Sequence, residues 1–372
     1  MITQPTTTTA QRLYSLDALR GFDMFWIMGA EDIVKTMANA TGSSFWNGFA
    51  NELTHPAWNG FHFYDLIFPL FLFIAGVATP YSVGRDLEKG KSNRQLLLRV
   101  IKRGLLLVLL GIIYNNGLKI QPLAQIRFGS VLGRIGLAYM FANIIYLYTK
   151  QVGQAAWFVL LLVGYWLLLK FASAPGFLHG DLTMEGNFAS YIDRTIMPGH
   201  LYLGIHDPEG LMSTIPAIGT GLLGILTGNF LKNYNMIGQR KALFLFITGI
   251  IFIGLAHIWN LDFPINKNLW TSSFVLNVGG YSLVLLSVFY YIIDVLGYKK
   301  WAFFFKVIGM NSILIYMSGQ FINFEYATKG FFEWLGQLLG NPYNAVAFAI
   351  CFVLVEWAFL YFMYRKKVFL RV

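Results

Sequence analysis

Long apolar runs alternate with short polar connections along the whole chain. A run of about 20 apolar residues is what a helix needs to cross a bilayer. Ten such runs are found, near 16–36, 62–84, 96–116, 128–149, 153–172, 209–231, 241–260, 269–296, 301–324 and 344–364. The pattern predicts an all-α fold, a polytopic membrane helix bundle of about ten transmembrane helices forming a single domain over 12–372. The first eleven residues are polar and Thr-rich and read as a disordered tail, without the basic region and cleavage site of a secretory signal. The longest connection, 173–208, carries Pro175, Gly176, Gly180, Gly186, Pro198 and Gly199 and predicts an ordered extramembrane loop built of turns. No internal repeat of the inverted-transporter kind is visible.

Composition narrows this picture. Only 12% of the 372 residues are charged, about half the share in soluble domains. The net charge of +10 does not indicate nucleic acid, because Lys and Arg gather in loops instead of interleaving with aromatics. Twenty of the 28 Lys and Arg residues fall in the termini and alternate connections, including 85–103, 232–241, 299–306 and 365–371. The positive-inside bias then predicts both termini in the cytoplasm. It sends His55 and the 173–208 and 261–268 loops to the far side of the membrane. A lone Cys351 precludes an internal disulfide. The six His show no i, i+4 pair, so no metal site is predicted.

The candidate chemistry centres on Thr54 to Gly76, THPAWNGFHFYDLIFPLFLFIAG. An imidazole at a helix mouth with a carboxylate ten residues on is costly to place there, and ionisable groups at membrane depth are functional candidates. His55 is a candidate base or nucleophile, Asp65 its carboxylate, Asn59 a hydrogen-bonding amide and Trp58 a stacking face. The same residues also read as an interfacial loop with an aromatic-belt Trp and an Asn-Gly turn. Glu31 and Asp32 are either a solvated acidic pair or groups that orient His55 and bind a polar substrate. Asp17, Arg20 and Asp23 share a helix face and read as a self-neutralising helix end. Arg99, Lys102 and Arg103 form a basic cluster, and Arg134 is a charge inside an apolar run that requires a partner or ligand. Asn266 and Lys267 form a polar approach to the eighth run, and Asp207-Pro208-Glu209 reads as the capped start of the sixth. Phosphate-loop, His-Glu-x-x-His and Gly-x-Ser-x-Gly motifs are absent.

Seven segments in order resemble the transmembrane acyltransferases related to lysosomal heparan-α-glucosaminide N-acetyltransferase. They are RLYSLDALRGFDM, THPAWNGFHFYDLIFPLFLFIAG, VIKRGLLLVLLGI, RFGSVLGRIGLAY, DPEGLMSTIPAIGTGLLGILTGN, FPINKNLWTSSFVL and GMNSILIYM. The resemblance is to a short bacterial branch, which implies an inner-membrane location and a homodimer. It also implies acetyl-CoA as donor, a glucosamine amine as acceptor, and no metal. The family's active-site histidine falls on His55, and a family asparagine falls near Glu31, a departure. Its cofactor route implies donor contacts from Arg99, Lys102, Arg103 and Arg134, while Trp58, Asp32, Asn266 and Lys267 are expected against the acceptor. The expected activity is transfer of acetyl from cytoplasmic acetyl-CoA to an amino sugar on the far side. The alternative is an amino-sugar transporter.

Overall fold

The computed structural model describes residues 13–119, 121–233 and 235–370. The tail expected over 1–11, with Arg12 and Arg371, lies outside the described residues. Among the described residues the regular structure is helical, with one isolated antiparallel bridge between Arg127 and Gly199. In order the helices are α1 (Tyr14–Phe25), α2 (Glu31–Thr41), α3 (Ser44–Glu52), α4 (Ile67–Glu88), α5 (Asn93–Asn116), α6 (Val131–Tyr148), α7 (Gln151–Phe171), α8 (Phe188–Ile196), α9 (Thr214–Lys232), α10 (Gly238–Trp259), α11 (Ser272–Tyr290), α12 (Phe303–Met310), α13 (Ser312–Ser318), α14 (Phe324–Leu339) and α15 (Tyr343–Arg365).

Among the described residues, seven helical segments are long and apolar enough to cross a membrane. They are Phe63–Glu88, Val131–Tyr148, Gln151–Phe171, Thr214–Lys232, Gly238–Trp259, Ser272–Val295 and Tyr343–Arg365. The chain is thus a multi-pass integral membrane protein. The other three expected runs fall on helices of different character. The first is a helix with a π turn at Trp26–Ala30, where Gly29 has φ of 107°. The second is α5, which carries Arg94, Arg99, Lys102 and Arg103 along its first half. The third, 301–324, is broken between α12 and α13. Asn311 takes φ −133° there, and its amide donates to the Val368 carbonyl at 2.9 Å and accepts from the Leu370 amide at 3.1 Å. A side chain that serves a distant backbone in this way interrupts its own helix.

Where the helices pack closest, glycines meet. Gly76 faces Gly224 between α4 and α9, and Gly249 faces Gly280 between α10 and α11. A Cβ on Gly76 would lie 2.2 Å from the Gly221 carbonyl oxygen. Lipid supplies no hydrophobic drive between helices, so close backbone approach at small residues sets their contacts.

The loops sort to two ends of the bundle. At one end the 54–62, 117–130, 173–213 and 260–271 segments are tied together. At the other, Lys232 pairs with Glu88 at 2.6 Å, Lys91 with Asp86 at 2.9 Å, and Asp294 accepts from the Tyr14 and Ser15 amides. Two local expectations are corrected. The 173–208 connection contains a helix, α8, capped by Asn187, so it is more than turns. The sixth apolar helix begins at Thr214, so Asp207 and Glu209 are not its cap. Asp207 instead builds a turn, accepting from the Glu209 amide at 2.9 Å, and pairs with Arg127.

Candidate active site at the loop-bearing end

The local sequence turns Asp65 toward His55. His62 caps the short 3₁₀ turn Phe63–Leu66 that leads into α4, and Asp65 is the third residue of that turn. This is capping-box spacing, in which the third-position acid reaches back to the cap amide. Asp65 Oδ2 accepts from the His62 amide at 3.0 Å, and that bond leaves Oδ1 facing His55 Nδ1 at 2.7 Å. Asp65 is 1% exposed, whereas the His55 side chain is 48% exposed. A buried carboxylate thus holds an accessible ring, with Nδ1 as its anchored nitrogen.

Lys267 closes the other side of the ring. Its Nζ lies 3.1 Å from His55 Nε2, 3.3 Å from Nδ1 and 3.5 Å from Asp65 Oδ1. Burial pushes the Lys267 ammonium below its ordinary range, against the opposing pull of Asp65. Its loop is tightly fixed. Asn266 Oδ1 accepts from the Leu269 amide, the Thr271 amide bonds the Asn266 carbonyl, and the Asn266 amide bonds Thr271 Oγ1. Two cross-loop bonds set the separation of Lys267 from His55. Asn266 Nδ2 donates to Asn59 Oδ1 at 3.0 Å, and the Gly60 amide donates to the Ile265 carbonyl at 2.8 Å. Asn59 and Asn266 are therefore struts between loops.

These groups stand on a cavity of about 480 Å³ whose walls include His55, Trp58, Tyr64, Asp65, Lys267 and Tyr316. Trp58 donates Nε1–H to the Leu182 carbonyl at 2.9 Å and sets its ring edge-on to His206 at 5.2 Å. The Tyr64 ring is 5.1 Å from the His55 ring, and its hydroxyl lies beside Glu31, which also pairs with Lys35 at 3.0 Å. Among the described contacts, Glu31 reaches His55 through Tyr64. Asp32 lines a different cavity, of about 840 Å³, between α2, α14 and α15, with Glu325 and Lys329.

The basic residues are set apart. Arg99 pairs with Asp86, Lys102 is exposed, and Arg103 stacks on Tyr139 at 4.5 Å, all in the first half of α5. The seventeen helical steps from Arg99 to Asn116, at the site end of that helix, correspond to about 25 Å of rise. Arg134 is buried just behind Leu132 and Ile135 of the cavity wall. Its Nη2 donates to the Gly210 carbonyl and to Ser213 Oγ, and its guanidinium stacks on Trp270 at 4.8 Å.

Sequence reading passed over Arg127. Its Nη2 donates to Asp207 at 2.8 Å and to Glu209 at 2.5 Å, its Nε donates to Asp207 at 3.0 Å, and it stacks on Tyr202 at 4.3 Å. Arg127, Tyr202 and Glu209 all line the cavity. Burial opposes ionisation of Asp207, but the Arg127 bonds outweigh it and hold the carboxyl below its ordinary range. Behind this wall, burial pushes His206 down to about 4 and Asp193 up to about 6.

No known family pattern matches the chain. It is 29% identical over 422 residues to human heparan-alpha-glucosaminide N-acetyltransferase, covering 97% of this chain and 60% of that protein. The chain is similar to that N-acetyltransferase. The mouse protein of the same name is 29% identical over 427 residues, covering 99% of this chain and 62% of its own length. The chain thus spans about 60% of the length of these curated relatives.

Proposed function

We propose that this chain is a membrane-embedded acetyltransferase that moves an acetyl group from acetyl-CoA to the amine of glucosamine or a glucosamine-terminated glycan. The observation that carries the reading is the Asp65–His55–Lys267 constellation at the mouth of the cavity. A carboxylate on Nδ1 leaves the Nε2 lone pair directed away, which is the arrangement a general base or nucleophile requires. The kinship with N-acetyltransferases supplies the reaction class.

Acceptor amine and thioester meet at Nε2. In direct transfer, Nε2 takes a proton from the amine as its nitrogen bonds to the thioester carbonyl carbon. The C–S bond breaks, and the thiolate leaves and recovers that proton. In the covalent route Nε2 takes the acetyl group first and passes it to the amine. A burst of thiol with ping-pong kinetics marks the second route, and a ternary complex the first.

The topology in this reading has ten spans, with α1–α2, α5 and the broken α12–α13 joining the seven apolar helices, and both termini cytoplasmic. Tyr14 and Tyr364, near the two ends of the described chain, lie close enough to interact, which supports termini on one side. The basic cluster of α5 would then meet the phosphates of CoA from the cytoplasm, and Trp58 would stack on the sugar beyond the membrane. The membrane is the bacterial inner membrane and the assembly a homodimer. The test is His55→Ala, checked for folding by melting and gel filtration and assayed with acetyl-CoA and glucosamine by thiol release. A wild-type rate in that variant refutes the reading.

A further inference from the structure

Lys267 holds an unusual place for a lysine. Its ammonium stands 3.1 Å from His55 Nε2 and 3.3 Å from Nδ1, beside the ring that has to take an acceptor amine's proton. It is held there by a rigid turn, with 19% of its side chain exposed, and it lines the same cavity as His55. A primary amine of the protein therefore stands within reach of the imidazole in the cavity the acceptor would enter.

We propose that Lys267 is a self-acetylation site: with acyl-CoA bound and the acceptor absent, its Nζ takes the acetyl group. The step rests on the acetyltransferase reading above. His55 Nε2 removes one proton from the Lys267 ammonium. The neutral Nζ bonds to the thioester carbonyl carbon, and the C–S bond breaks. The CoA thiolate leaves and takes the proton held on His55. The second proton on Nζ passes to water as the amide forms, so a charged amine and a thioester become a neutral amide, a thiol and one proton. Nothing is oxidised or reduced.

The chemistry favours this amine over others. Proximity to a base is what separates a reactive lysine from a solvated one. Burial also lowers the ammonium's hold on its proton. Exposed lysines such as Lys329, 59% exposed and paired with Glu325 at 2.6 Å, have no imidazole beside them among the described contacts. The product would have two consequences. Asp65 would lose the cation at 3.5 Å, and an acetamide would fill the acceptor's position. The enzyme would switch itself off under excess donor and be protected by acceptor.

Purified protein in detergent is incubated with acetyl-CoA, with and without glucosamine, and peptides are mapped by mass spectrometry while thiol release is followed. The expected result without acceptor is about one thiol per chain, with the acetyl increment on the Lys267 peptide. Labelling there should be roughly 100-fold faster than on Lys329. Glucosamine should suppress it, His55→Ala should slow it by a similar factor, and Lys267→Arg should remove the acetyl increment from that peptide. Turnover of glucosamine with Lys267 unlabelled, or labelled no faster than Lys329, overturns the inference and leaves the acetyltransferase reading standing. Neither turnover nor labelling overturns both. The decisive comparison uses wild-type protein, so a variant that fails to fold does not blunt it.

Discussion

Asp65→Asn is the sharpest probe of the site because it changes one atom and reverses a proton. The carboxylate accepts two bonds, from His55 Nδ1 at 2.7 Å and from the His62 amide at 3.0 Å. An asparagine has one accepting oxygen. The His62 amide can only donate, so the oxygen must stay with it, and the new amide nitrogen faces His55. The ring answers by changing tautomer: Nδ1 becomes the acceptor and Nε2 carries the hydrogen. Nε2 then has no lone pair for an amine's proton or an acetyl carbon, and it presents a donor to the Lys267 ammonium. General-base catalysis is worth about 10² to 10⁴ in rate, so the barrier should rise by about 3–5 kcal/mol. A similar loss follows when the carboxylate of a Ser-His-Asp triad is made an amide. The assay is thiol release from acetyl-CoA at saturating glucosamine, with folding checked by melting temperature. A folded variant within about tenfold of the wild-type rate would refute the tautomer argument.

The remaining expectations concern the frame around the ring. Arg127→Ala leaves the fully buried Asp207 carboxylate without its cation and should cost about 3–5 kcal/mol of stability, seen as a lowered melting temperature; an unchanged melt contradicts it. His206, held down to about 4 by burial, resists protonation in the native state, so its contribution is complete above its unfolded value near 6.5 and is lost as pH falls through about 4. The span from 6.5 to about 4 corresponds to about 3 kcal/mol at most. The deficit of His206→Gln relative to wild type should therefore shrink between pH 6.5 and 4, as read by melting at several pH values. Asp193, pushed up to about 6, acts oppositely in that window but is common to both proteins. Asn59→Ala removes the bond to Asn266 and lets Lys267 drift from His55; acetylation of Lys267 without acceptor should slow about 10-fold or more, and an unchanged labelling rate would show that the strut does not set the pair.

Long apolar runs were legible because lipid imposes one rule, that every backbone group be satisfied within its own helix. That rule marks α4, α9, α10 and α15 from composition alone. It says nothing about a run whose backbone is satisfied elsewhere. Asn311 shows this: its break is caused by Val368 and Leu370, nearly sixty residues away. The amphipathic α14, with Glu325, Lys329 and Glu333 among its aromatics, has no uniform apolar run to reveal it. At the site, His55 and Asp65 could be paired in advance because both belong to one segment with capping-box spacing at His62. Lys267 was legible as a polar residue before an apolar run and as an expected acceptor contact, but not as a neighbour of His55. Its contact with His55 crosses 212 positions and depends on Asn266. Arg127 was invisible for the same reason, since its partners Asp207 and Glu209 make a plausible helix cap when read alone.

The separation of the two charged regions constrains any mechanism. Asp65, His55 and Lys267 lie at one end of the bundle, and Arg99, Lys102 and Arg103 lie in the opposite half of α5. A compact donor could not touch both, because about 20–25 Å of helix intervenes. A donor whose anionic head and reactive thioester stand at opposite ends of a long flexible arm could. The aromatic rings of Tyr64, Tyr114 and Tyr316 bear on this. Tyr114 stacks on Tyr316 at 4.3 Å, and Tyr316 and Tyr64 both line the cavity beside His55. Tyr64 and Tyr316 thus wall the cavity, and Tyr114 ties that wall to α5 through its stack on Tyr316. The break at Asn311 supplies Ser312, Ile313 and Tyr316 to that same wall. The irregular helix is therefore part of what shapes the approach to the imidazole. In a bilayer, interrupted helix is tolerated only where it is buried in protein or lines a cavity, and here it does both.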